Sequence, residues 1–143
     1  MDALRDRIVG SLEPFAGIRV AWLFGSQLTG RIGPESDLDI AVAYERALDA
    51  DAREALRRRL VVALSDSLGR LGERADVVDL EDCDSAVAFR AVSEGALLFA
   101  RSDEDRVRVV ARVARRYDDE SPRRELFRRA AIAVSTGPGD DRR

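Results

Sequence analysis

Residues 18–24, apolar except for Arg19, are followed at once by Gly25-Ser26 and, after ten intervening residues, by Asp37-Leu38-Asp39 at the start of a second largely apolar stretch. No other feature constrains the chain so strongly. Both runs have the length and composition of buried strands. In the second, Leu38, Ile40 and Val42 alternate with Asp39, Ala41 and Ala43, which places Asp37 and Asp39 on the same face. Two carboxylates on one face repel each other, and a divalent cation is the usual remedy. Mg²⁺ suits a site with few protein ligands in which a phosphate completes the shell. Gly25 lets backbone approach a ligand closely. Ser26 can open a helix whose first amides favour a phosphate. The competing reading makes both aspartates turn and strand-edge residues, because Pro34-Glu35-Ser36-Asp37 is good turn chemistry.

Composition narrows the chemistry further. The 143 residues contain no histidine and a single cysteine, Cys83. Any acid–base step near neutral pH must then fall to carboxylates, tyrosine or that thiol, and zinc chemistry is all but excluded. All 24 basic residues are arginine, with no lysine, and the net charge is only −3, so no global field marks nucleic acid as a partner. One unpaired cysteine fits a reducing compartment, and no apolar run approaches the ~18 residues of a membrane span. The charged start, residues 1–7, has no signal-peptide core, and a cytoplasmic location is expected. The length suits one domain, here residues 1–134, with a disordered tail at 135–143.

The periodicities predict an α/β (α+β) domain built on a small mixed sheet flanked by helices. A helix over 2–12 precedes the first strand, and a short helix to about Leu28 should follow Gly25-Ser26. A long helix capped by Asp51 runs to Leu71 along Leu56, Leu60, Leu64 and Leu68. Within it Arg57, Arg58 and Arg59 fan around the axis and read as solvated side chains. A third strand spans 75–80, and a helix capped by Asp84 or Ser85 ends at Gly95. A short strand over 96–100 follows. Two late helices complete the pattern, one over 103–117 with an apolar stripe at Val107, Val110, Val113 and Ala114, and one capped by Ser121 with Pro122 in its first turn.

The spacing Gly25-Ser26-x10-Asp37-x-Asp39 resembles the signature of the DNA polymerase β-type nucleotidyltransferases. The short chain is most similar to the minimal nucleotidyltransferase (MNT) antitoxins that accompany HEPN-domain toxins. Gly30, Asp76 in Ala75-Asp76-Val77-Val78-Asp79-Leu80, and Glu94-Gly95-Ala96-Leu97-Leu98 extend the resemblance over roughly residues 5–130. It implies three metal-binding catalytic carboxylates: Asp37, Asp39 and, as third, Asp76. Asp79 competes for that third place but falls on the opposite strand face. It further implies two Mg²⁺ ions and ATP as substrate, with Gly25, Ser26 and Arg31 toward the phosphates, although an exposed arginine such as Arg31 is commonly just solvated. The implied activity is transfer of AMP to a tyrosine hydroxyl of a HEPN ribonuclease toxin. Two alternatives stay open: an antitoxin that masks the toxin by contact, and a nucleotidyltransferase acting on a small molecule.

Overall fold

The computed structural model describes residues 2–25 and 37–135. The predicted short helix after Gly25-Ser26, together with Gly30 and Arg31, lies outside the described residues, as does all of the predicted tail beyond Ser135. The elements are α1 (Asp2–Leu12), β1 (Ile18–Phe24), β2 (Leu38–Tyr44), α2 (Ala50–Leu68), α3 (Arg70–Glu73), β3 (Ala75–Asp79), α4 (Ser85–Glu94), β4 (Ala96–Ala100), α5 (Asp103–Asp119) and α6 (Ser121–Ser135).

The four strands form one mixed sheet in the order β3-β2-β1-β4. β1 runs antiparallel to β2 and β4, whereas β2 and β3 are parallel. Both central strands are buried on both faces, as their near-continuous apolar sequence requires. On one face Leu38, Ile40 and Val42 pack with Ile8 and Leu12 of α1 and Leu56, Leu60 and Leu64 of α2. On the other, Val20, Trp22, Phe24, Ala41 and Ala43 meet Ala88 and Ala91 of α4 and Val109 and Val113 of α5. The small alanines of β2 let α4 and α5 approach the sheet closely. Leu60 is fully buried in the first layer. Leu60→Ala should therefore cost about 2–5 kcal/mol, readable as a lowered denaturation midpoint at unchanged slope.

Three local expectations are corrected. The cap of α2 is Asp49, whose carboxylate accepts the Ala52 amide at 2.8 Å. Asp51 instead sits in the first turn, where its charge complements the helix dipole. The long helix stops at Leu68, because Gly69 takes φ +63°, and α3 is a separate turn. On α5 the buried pair is Val109 and Val113, while Val107 is 55% exposed. Residues 107 and 109 stand about 200° apart around the axis, so the stripe that faces the sheet excludes Val107.

Arg53 in the first turn of α2 reaches across to the end of β3. Its guanidinium donates to Asp79 at 3.1 Å, lies 3.6 Å from Glu81 and donates to the Leu48 carbonyl at 2.9 Å. This fixes Asp79 on the α2 side of the sheet. Among the described residues no helix is long and apolar enough to cross a membrane.

Candidate active site

The sheet brings the aspartates together at one end. Asp39 on β2 is in register with Phe24 on antiparallel β1 and with Asp76 on parallel β3. Directly opposed residues share a face, so Asp39 and Asp76 both project to the side covered by α4 and α5. Asp37 precedes the strand by one residue and is exposed, as is Asp76, while Asp39 is half-buried. Asp79 points the other way, paired with Arg53 as described above.

Burial and like-charge repulsion act together on this rim. The Asp39 carboxyl is raised above its ordinary value first by burial, then by the charges of Asp76 and Asp37, and the Arg90 guanidinium partly offsets this. An acid so raised binds its proton more tightly folded than unfolded. Its ionisation therefore works against folding, and the stability it withdraws is lost as pH rises from the ordinary value of 3.8 upward. Asp39→Asn removes that repulsion. In chelated buffer at pH 7 the variant should melt above the wild type, with the gap closing toward pH 3. A midpoint at or below the wild-type value at pH 7 would contradict this account.

Gly25 closes the site from the β1 side. Its φ of +82° is a left-handed conformation that side chains rarely adopt, and a Cβ placed there would lie 2.2 Å from Asp39 Oδ2. Gly95 has a different reason to be glycine. A Cβ there would meet the Ala91 carbonyl oxygen at 2.2 Å and that of Leu23 at 2.9 Å. The absence of a side chain lets the end of α4 abut β1 two residues before Gly25, which explains physically the Glu94-Gly95 pair singled out in the sequence.

The donor set fits Mg²⁺ better than a tighter cage. Among the described residues no three acidic or sulfur side chains are already closed around one point. Mg²⁺ keeps several waters and takes one or two carboxylates plus substrate phosphates, a shell that open aspartates on one rim can supply. A cavity of about 280 Å³ between the end of β3 and α5 contains none of these carboxylates and is lined by Leu80, Val109 and Val113 with Arg112 and Arg116. It is a packing groove remote from this chemistry.

Arg90 was not anticipated. It sits mid-way along α4, and nothing in its local sequence separates it from the other arginines; only the tertiary docking of α4 beside β1 places its charge near Asp39. Arg57 is ion-paired with Glu54 at 2.6 Å, Arg58 lies 3.4 Å from the same carboxylate, and Arg59 rests over the Phe15 ring. Cys83 precedes the Asp84 cap of α4, and burial pushes its thiol up, so it is held as the unreactive thiol. Ser26 and Arg31, the remaining expected phosphate contacts, lie outside the described residues.

A mixed four-stranded sheet that presents carboxylates from two parallel neighbours beside a glycine turn is the architecture of a nucleotidyltransferase. Residues 7–104 match the family Polymerase beta, Nucleotidyltransferase, and the chain belongs to that family. It is similar to Protein adenylyltransferase MntA of Shewanella oneidensis, at 29% identity over 97 residues that cover 68% of this chain and 65% of that relative. The match thus spans just under two thirds of the relative's length. Among solved structures, a toxin–antitoxin crystallised with AMP-PNP superposes at TM-score 0.69, with 26% identity over 90% of this chain and 98% of the other. The MNT antitoxin in complex with the tri-AMPylated HEPN toxin of Shewanella oneidensis shares the fold at TM-score 0.65, with 24% identity over 92% and 98% of the two chains.

Proposed function

We propose that this chain is an antitoxin nucleotidyltransferase that moves AMP from ATP to a tyrosine hydroxyl of a partner HEPN-domain toxin and so neutralises it. The observation that carries this reading is the in-register pairing of Asp39 with Asp76 beside Gly25, together with family membership and the likeness to an adenylyltransferase and to toxin–antitoxin complexes. Asp37 and Asp39 would hold Mg²⁺ with the triphosphate, and Asp76 would share a second ion. Bound there, the metal neutralises phosphate charge and lowers the pKa of the acceptor hydroxyl.

The chain's own groups supply the rest. Gly25, having no side chain, would let the backbone come close to a phosphate, with Ser26 and Arg31 as the residues expected to contact it. Asp76, exposed on the rim, takes the acceptor proton as the hydroxyl oxygen attacks the α-phosphorus and pyrophosphate leaves. A phenol needs less help than an aliphatic alcohol, since its pKa is about 10. Added AMP places a bulky anion on the ribonuclease and repels the RNA backbone.

Incubating the toxin with this chain, ATP and Mg²⁺ should add one or a few AMP units to the toxin's intact mass. Neutralisation without any mass change, undiminished by Asp39→Asn, would replace this reading with masking by contact.

A further inference from the structure

The start of α6 is anchored to α4 and α5 by side-chain hydrogen bonds. Glu120, just before it, accepts a hydrogen bond from the Ser85 hydroxyl of α4, and Arg124 donates to the same hydroxyl and to the Tyr117 carbonyl. The Arg124 guanidinium lies 3.6 Å over the Tyr117 ring, which in turn stacks on Phe89 at 4.2 Å and 11°. Beyond this anchor every residue from 126 to 133 is exposed, including Leu126 at 68% and Phe127 at 69%. Leu126, Phe127, Ala130 and Ala131 form one stripe at helical spacing. Around it α6 carries Arg123, Arg124, Arg128 and Arg129 against the single acid Glu125, with which Arg128 and Arg129 pair at 2.6 and 3.0 Å, so the helix keeps a net positive charge. This sign of charge is opposite to that of the chain as a whole, at −3.

The surface does not end at α6. From the Phe89–Tyr117 stack an open groove of about 370 Å³ runs along α4 past Arg90 and Ser93 to Glu94. Glu94 precedes the glycine that abuts β1, and the charge of Arg90 is felt at Asp39. One continuous face therefore leads from an exposed apolar stripe, through an aromatic and arginine wall, to the catalytic rim.

We propose that the acceptor protein docks on this face, α6 gripping an apolar, acid-rimmed helical surface of the partner while the α4 groove admits the segment that carries the acceptor hydroxyl. The assignment rests on the AMP-transfer reading given above. Charge complementarity fixes the partner's chemistry, because an arginine-flanked apolar stripe is matched by a hydrophobic patch with carboxylates at its rim. Continuity with the site would let the docked partner present its hydroxyl to the rim.

The test titrates the full chain with its cognate HEPN-domain protein by calorimetry and follows the mixture by size-exclusion chromatography. Leu126→Glu with Phe127→Glu should weaken the complex at least tenfold and slow AMP transfer at limiting toxin. It should leave Mg²⁺-dependent ATP binding by the free chain unchanged. Leu126→Ala with Phe127→Ala should act in the same direction with a smaller effect, and salt should weaken the wild-type complex. Unchanged toxin affinity in both variants, with an active wild type, overturns the docking assignment alone. Self-association of the free chain that the same substitutions abolish gives the face to a second copy and also overturns it. A wild type that neither binds nor modifies the toxin overturns the AMP-transfer reading itself.

Discussion

Asp39→Asn is expected to lower AMP transfer by roughly three orders of magnitude, about 4 kcal/mol of transition-state stabilisation. The substitution keeps the shape of the side chain and removes the charge that holds a divalent ion. Asp39 is the half-buried member of the set and the one that feels both Asp37 and Asp76, so it sits at the electrostatic centre of the rim. Intact mass of the toxin over time gives the rate, and calorimetry with ATP and Mg²⁺ gives the affinity. Wild-type affinity and rate in the variant would remove the metal assignment. Its expected gain in thermal stability, argued above, makes the two effects opposite in sign, which simple unfolding cannot mimic.

Gly25→Ala should reduce turnover about a hundredfold through position rather than charge. The new methyl would meet Asp39 Oδ2 at 2.2 Å, so either the carboxylate rotates off the rim or the turn opens. The left-handed φ adds strain, and about 1–2 kcal/mol of stability should be lost as well. A double variant separates the two routes. In the Asp39→Asn background, which has little rate left to lose, Gly25→Ala should scarcely reduce transfer further, because the residues act on one another. Full additivity of the two losses would show that Gly25 acts somewhere other than on Asp39.

The strands were legible because two seven-residue stretches, each interrupted by one charged residue (Arg19 and Asp39), admit few alternatives, and the observed β1 and β2 begin and end where the hydrophobic pattern does. The placement of Asp76 beside Asp39 followed from strand order and the resemblance; their pairing in register is a tertiary fact. Caps were less legible. Asp49 and Asp51 both stand at the start of the same helix, and only the observed backbone geometry makes the first the cap and the second a first-turn residue. The α5 stripe was misread because valines at 107, 109, 110 and 113 permit two overlapping faces, and the sheet chooses one. Arg90 left no local trace, since its significance lies wholly in where α4 docks.

β2 and β3 are neighbours in the sheet, yet residues 45–74 separate them along the chain, and α2 fills that crossover. The two halves of the carboxylate rim are therefore made by different stretches of the polypeptide and meet only when the long loop closes. A chain arrested before β3 docks carries a turn and a pair of aspartates, but not Asp76, the proposed acceptor base. During refolding from denaturant, transfer activity should accordingly return no earlier than the slowest phase seen by Trp22 fluorescence, because the catalyst and the finished sheet are one event.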